Sequence, residues 1–317
     1  MNLEERGHLL TEQVNLNSQN LDQLSSLELV ELFNQEDTAS VAAVAAAKIQ
    51  LAAAITRTAV ALRHGGRLFY VGAGTSGRLG VLDAAECPPT FCTSPELVQG
   101  IIAGGAAALV RSSEDLEDRS EDGNAAIAGR HITDLDVVVG ITAGGTTPFV
   151  HGALEAARQR GATTIFIACV PIAQVSADCD IDIRLLVGPE VLAGSTRLKA
   201  GTATKLALNI LSTGVMVQLG KVYGNRMVDV AVTNKKLRDR ALQILQDLTG
   251  LEREAAGHLL ERSNRRVKLA LMMHWTGLDP EEGESILAEH QGNLRAAVLN
   301  YNNRTENQSP KLNPEKL

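Results

Sequence analysis

The sequence predicts an α/β fold, a doubly wound parallel sheet flanked by helices, with a small C-terminal helical module. Three observations predict it. Short apolar runs alternate with helical patterns from residue 65 to about residue 200, the order expected of a parallel sheet with helices on both faces. Two of these runs end in glycine-rich turns, at Gly72-Ala73-Gly74 and at Gly144-Gly145. From Lys199 onward the strand-like runs stop, and the chain reads as helices to about residue 301.

Residues 1–20 are polar with little periodicity. A helical pattern covers 21–33, where Leu24, Leu27 and Val30/Glu31 are three or four apart. An Ala-rich helix is expected over 38–64 and stops at Gly65-Gly66. The run 67–71 reads as a buried strand, followed by a helix over 76–85 that Pro88-Pro89 should end. A weaker strand covers 97–103, and the charged stretch 112–122 reads as a loop opening a helix. The apolar run 135–141 is a strong buried strand, a helix over 148–160 ends at Gly161, and strands cover 163–170 and 181–187. A long helix fills 201–223, and shorter ones cover 239–248, 251–263, 266–276, 280–290 and 294–299. The expected organisation is a helical segment (1–64) packing on a sheet domain (65–238), then a small UBA-like helical module (239–301). A polar tail with two prolines (302–317) should be disordered.

A chain of 317 residues, 44% of them hydrophobic, can bury a substantial core, and its length suits about two domains. The net charge of −7 and the absence of a long Lys/Arg block exclude nucleic acid and anionic membrane as main partners. A small anion remains compatible, since a few local donors can hold it. Cys87, Cys92, Cys169 and Cys179 form no Cys-x-x-Cys pair, so neither a zinc site nor a disulfide framework is expected. The seven histidines show no ligand spacing, and no metal or cofactor is expected. Met1 leads into polar sequence without a signal-like apolar region, and no window is apolar enough to span a bilayer, which predicts a reduced, cytoplasmic protein. Met272, Met273 and Trp275 read as core of the helical module.

The turn after the first strong strand carries the chemistry. Glycines at 72, 74 and 77 let backbone approach a ligand, while Thr75 and Ser76 add hydroxyls at a helix start, where free N–H groups and the helix dipole favour an anion. It is not a Walker A loop, because no Gly-Lys-Ser/Thr follows. A Gly-x-Gly start could suggest a dinucleotide fold, but no obvious ribose-binding acid ends a second strand about twenty residues later. The same residues also suit a plain strand-to-helix turn with a Ser or Thr cap. Ser195, Thr196, Arg197 and Lys199 gather before the later long helix, which suits a second anion position or capping with surface charge.

Two longer blocks go further. Gly72 to Arg78 continues into Leu82-Asp83-Ala84-Ala85-Glu86-Cys87-Pro88-Pro89-Thr90-Phe91, and residues 188–202 continue through Lys205, Asn209 and 221–225 to 227–230. Together they resemble the sugar isomerase (SIS) fold as used by N-acetylmuramic acid 6-phosphate etherases, over roughly residues 5–300. The glucokinase regulatory protein, a sugar-phosphate binder without turnover, is a further relative. The resemblance implies cleavage of the D-lactyl ether at C3 of N-acetylmuramic acid 6-phosphate, by proton removal at C2, loss of lactate and addition of water. The products would be N-acetylglucosamine 6-phosphate and D-lactate, formed without metal or redox cofactor. It assigns Glu86 as general acid and Glu117 as general base, with Glu114, in an imperfect copy three residues earlier, as the fallback base. It implies sugar-phosphate contacts from Gly74, Thr75, Ser76, Gly77, Arg78, Gly145, Thr147, Ser195 and Thr196, and a homodimer with its site near the interface. One loop departs from the family pattern Ala-Ser-Gly-Arg-Thr-Pro: Gly144 replaces a serine and Thr146 replaces an arginine, which removes a hydroxyl and a cationic donor. A sugar-phosphate-binding regulator and an aldose–ketose isomerase are the competing readings; two placed carboxylates favour the etherase, because a sensor needs none.

Overall fold

Five parallel strands, in the order β2-β1-β3-β4-β5, form the sheet of the computed structural model, which describes residues 6–111 and 114–308. They are β1 (Leu68–Gly72), β2 (Val98–Ile102), β3 (Val137–Thr142), β4 (Thr163–Ala168) and β5 (Ile181–Arg184). The chain steps outward from β1 to β2 and then returns to β3 on the other side of β1. The strand order therefore reverses between β1 and β3, where an open α/β sheet leaves a crevice at the carboxyl ends of its strands.

The helices of this part are α1 (Ser26–Ala46), α2 (Lys48–Arg63), α3 (Gly74–Phe91), α4 (Ser120–Gly129), α5 (Pro148–Gln159) and α6 (Lys199–Gln218). Helices α4 and α5 cover one sheet face, where Phe69, Val71, Val138 and Phe166 pack with Ile127, Phe149, Val150 and Ala153. Strand residues alternate between faces, so Tyr70 and Ile141 point to the opposite face and meet α3 at Gly80.

Several elements differ from expectation. The Ala-rich helix does not begin near residue 38. A capping box at Ser25 and Glu28 starts α1, which runs to Ala46. The break falls at buried Ala47, between helices bent by 57°, within an alanine run that carries no breaker residue. Pro88 and Pro89 do not end α3, which continues to Phe91. The two prolines lack the N–H groups of the last turn, and Cys87 and Phe91 on either side of them are buried. Residues 10–12 and 16–18, polar with little periodicity in sequence, form short 3-10 turns, and residues 21–23, the start of the expected helical pattern, form a third. No single helix among the described residues is long and apolar enough to cross a membrane; α1 and α2 reach that length only across their bend.

The chain divides into two compact units, the first comprising residues up to 87 and 94–215, the second residues 88–93 and 216 onward. In the second, a small antiparallel hairpin joins β6 (Val222–Tyr223) to β7 (Arg226–Met227), so strands do not stop at Lys199. Gly220, at φ +72°, ends α6 before that hairpin. Helices α7 (Lys235–Thr249), α8 (Arg253–Arg262), α9 (Val267–Thr276), α10 (Pro280–Glu289) and α11 (Leu294–Gln308) follow. Helix α9 is the centre of this unit: Val267 to Met273 are all buried, and Leu242, Leu245, Leu260 and Leu287 belong to the same core. Met272 and Met273 are core as expected, while Trp275 packs beside Tyr223 with ring centroids 5.1 Å apart. Residues 302–308, expected to be disordered, continue α11; residues 309–317 lie outside the described residues.

One carboxylate ties the entry ends of β1 and β3. Asp136, 1% exposed, accepts hydrogen bonds from the Arg67 N–H (2.8 Å), the Arg67 guanidinium (2.8 and 3.1 Å) and the Thr133 N–H (2.9 Å). Burial pushes its carboxyl upward, but the hydrogen bonds and charge of Arg67 outweigh burial and hold it below the ordinary carboxylate value. A carboxylate lowered in this way stabilises the fold above its unfolded-state pKa, and that stability is lost as pH falls through its folded-state pKa. Asp136→Asn is expected to cost about 2–4 kcal/mol at pH 7. Urea unfolding at pH 7 and pH 3 checks this, and the variant should lose less stability between the two than the parent chain.

Candidate functional site

A cavity of about 290 Å³ opens at the β1/β3 reversal. Its walls come from the turn after β1, the loop after β3, the start of α6 and the segment that precedes α1.

The β1 turn supplies Ala73, Gly74, Thr75 and Ser76. Helix α3 starts at Gly74, and the N–H groups of residues 74–76 precede its first turn hydrogen bond, from Gly77 N–H to the Ala73 carbonyl (3.1 Å). Such N–H groups, with the positive end of the helix dipole, suit an anion. Gly77 and Arg78, both expected to contact phosphate, lie outside the cavity lining. A Cβ on Gly77 would come 2.6 Å from the Gly72 carbonyl oxygen, so its role is to let α3 lie against β1. Arg78 turns away and donates to the carbonyls of Leu109 and Arg111 (3.2 Å each).

The β3 loop supplies Thr142, Ala143, Gly144, Thr146 and Thr147. The hydroxyls of Thr142 and Thr147 are 2.8 Å apart, so Thr147 bonds back to β3 rather than capping α5. Gly145 is outside the lining. Its φ of +79° turns the chain, and its carbonyl lies 2.6 Å from His151 Nε2. His151 had no role in the sequence reading; it props this loop from the first turn of α5, with its ring beside Phe166.

The start of α6 differs from the expected second anion position. Glu190, fully buried, accepts the N–H groups of Lys199 and Ala200 at 2.9 Å each. The protein's own carboxylate already occupies this helix terminus. Burial pushes Glu190 above its ordinary value, although those N–H groups and Lys199 pull the other way. Lys199 is buried too, 2.7 Å from Glu36, which also accepts from Asn15 and Asn17. Thr196 lines the cavity with Gly201 and Thr204, whereas Ser195 does not.

Sequence reasoning missed the segment before α1, which contributes Arg6, Leu9 and Glu12. Leu9 is buried in the sheet core, and Gln174 accepts from the Leu10 N–H and donates to the His8 carbonyl, at 3.0 Å each. The only hint in the sequence is the pair Leu9-Leu10 inside a polar stretch. Glu117 lines the cavity, with its own carbonyl accepting from the Phe149 N–H (3.0 Å) at the start of α5. Glu114 lies in a 3-10 turn, Glu114–Leu116, and residues 112 and 113 fall outside the described residues. Glu86 is exposed on α3 outside the lining. Ten residues beyond Ser76, it sits about 15 Å further along the helix axis, so one chain does not bring it to the glycine turn. Among the described residues, no group of three or more His, Cys, Asp or Glu side chains is placed to hold a metal ion.

Fold and cavity together define an α/β domain of the SIS class with an anion-binding crevice at its topological reversal. Residues 121–214 match the SIS domain, residues 50–158 the glucokinase regulatory protein N-terminal SIS domain, and residues 224–272 the C-terminal lid domain of glucokinase regulatory protein. The chain is 81% identical over 305 residues to an N-acetylmuramic acid 6-phosphate etherase of Nostoc punctiforme, covering 96% of this chain and 99% of the relative. Etherases of Nostoc sp. and Trichormus variabilis are each 80% identical, again covering 96% of this chain and 99% of theirs. The chain belongs to the N-acetylmuramic acid 6-phosphate etherase family.

A methyl at residue 77 tests the turn. Gly77→Ala would also come 2.6 Å from Ile102 Cγ1, and relief must shift α3 away from the sheet. Thermal unfolding should show a loss of about 1–3 kcal/mol, and N-acetylglucosamine 6-phosphate, expected to raise the melting temperature of the parent chain, should not raise that of the variant.

Proposed function

We propose that this chain is a carbon–oxygen lyase that cleaves the D-lactyl ether of N-acetylmuramic acid 6-phosphate, giving N-acetylglucosamine 6-phosphate and D-lactate. One observation carries the mechanism: a single cavity joins the N–H groups at the start of α3 to the carboxylate of Glu117. The phosphate sits at Gly74, Thr75 and Ser76, where hydroxyls and the helix terminus receive it. Thr147 and Thr196 offer further hydroxyls to the sugar.

Glu117 takes the proton from C2, which is acidic while C1 is a carbonyl in the open-chain sugar. The C2–H electron pair forms the C2–C3 double bond, the C3–O bond breaks, and the departing lactate oxygen takes a proton from Glu86. Water then adds at C3, its hydroxyl bonding the carbon and its other proton going to Glu86, while Glu117 returns to C2 the proton it took. No oxidant or reductant enters the balance. With this reading goes the cytoplasmic location expected from the sequence.

Glu86 stands too far along α3 to serve the turn of its own chain, so the reading includes a homodimer in which Glu86 serves the cavity of the second copy. Exposed apolar side chains on α1 to α3 and on α6, among them Leu27, Val41, Ile49, Leu82 and Ile210, support a partner there.

Incubation with N-acetylmuramic acid 6-phosphate should release D-lactate, and Glu86→Gln and Glu117→Gln should each slow release by about 10²–10⁴-fold. Mixed dimers of the two inactive variants hold one site with both carboxylates intact, so an equimolar mixture should recover about a quarter of full activity. No recovery overturns the shared site. Release of no lactate by the intact chain overturns the etherase.

A further inference from the structure

The substrate in the proposed reaction carries two anions, a phosphate and the carboxylate of its lactyl group, and the cavity described so far provides for one. The phosphate is received by backbone N–H groups and hydroxyls. The lactyl group hangs from C3, next to the C2 whose proton Glu117 takes, so its carboxylate must enter beside the carboxylate of Glu117. Glu12 adds a second acid to the same lining. Like charges in a half-enclosed site repel, and a cation must stand between them. Thr146, in the loop after β3, presents a hydroxyl and no charge.

Among the described residues that line the cavity, Arg6 is the one Lys or Arg side chain. Its Nη1 lies 3.9 Å from Glu117 Oε1, and its Nη2 lies 3.4 Å from Asp118 Oδ1. These contacts are long, and the side chains are open to solvent, Arg6 at 43%. Exposed pairs of this kind are weak, so the guanidinium can turn to a better partner while staying beside Glu117. A guanidinium carries five N–H donors in a fork that fits a carboxylate through two parallel hydrogen bonds. The neighbouring backbone holds Arg6 at the cavity mouth: Leu9 is buried in the core, its N–H donates to the Arg6 carbonyl at 2.9 Å, and Gln174 grips His8 and Leu10.

Resting on the etherase reading, we infer that Arg6 binds the lactyl carboxylate of the substrate and so selects the lactyl-bearing sugar phosphate over the one without it. This makes Arg6 a specificity residue supplied by the segment before α1 rather than by the sheet loops. After cleavage the carboxylate leaves with lactate, and Arg6 loses its hold on the remaining sugar phosphate.

The test compares two ligands that differ in this group. In full-length chain carrying Glu86→Gln, which slows cleavage of the substrate, dissociation constants are measured by calorimetry for N-acetylmuramic acid 6-phosphate and N-acetylglucosamine 6-phosphate. Adding Arg6→Gln should weaken the first by about tenfold or more and leave the second within about twofold. Arg6→Lys should restore part of the loss, since it returns the charge without the fork. Equal weakening of both ligands, or no weakening of either, overturns the inference. The etherase reading fails on a separate measurement, lactate release by the unmutated chain, which enters neither dissociation constant.

Discussion

The approach of α3 to β1 leaves no room for side chains, and the position of the cavity depends on it. A Cβ on Gly72 would stand 2.7 Å from the Gly77 nitrogen, and one on Gly80 would stand 2.7 Å from Tyr70 Cβ. On the neighbouring strand, a Cβ on Gly100 would meet Val81 at 2.6 Å. Glycines at these contacts let the helix lie directly on β1 and β2, with its first turn at the carboxyl end of β1. Parallel pairing with β3 then brings the Thr142–Thr147 loop to the same edge. The crevice follows from strand order, but the depth at which α3 enters it follows from missing side chains.

Charge is distributed so that one helix terminus stays available. Helix α6 is sealed by its own buried Glu190, and α5 begins with Pro148, which has no N–H to offer, behind a Thr147 that bonds to β3. Helix α3 instead places its first residues, Gly74, Thr75 and Ser76, in the cavity lining. The block 82–91 divides in the same way. Asp83 accepts from Ser212 at 3.0 Å, and burial pushes its carboxyl up; the Cys87 thiol, buried against the Asp83 carbonyl, is pushed up to about 12. Both are structural groups, and within that block Glu86 is the acid left at the surface.

The segment before α1 behaves as part of the sheet domain despite its polar composition. Leu9 plugs the core, Gln174 fixes the backbone on either side of it, and the buried pair of Glu36 and Lys199, reached by Asn15 and Asn17, fastens its far end. Desolvation works against Glu36, yet these donors hold its carboxyl below the ordinary value. Lys199, which in sequence looked like a candidate anion ligand, is therefore held by this anchor.

What the sequence determined by itself is whatever depends on local pattern. Buried strands with apolar runs, glycine turns after β1 and β3, and helices with clear period could be read directly, and Gly74, Thr75, Ser76, Glu117, Thr147 and Thr196 do reach one cavity. Tertiary structure decided the rest. It carried α3 through two prolines to Phe91, and broke an alanine run at Ala47 where no residue type marks a boundary. It turned Arg78 toward carbonyls far from the turn, filled the α6 terminus with Glu190, and brought Arg6 and Glu12 to the cavity from a stretch with no periodicity. Each of these rests on a partner distant in sequence, and side-chain type alone does not say which partner a long or charged group will meet.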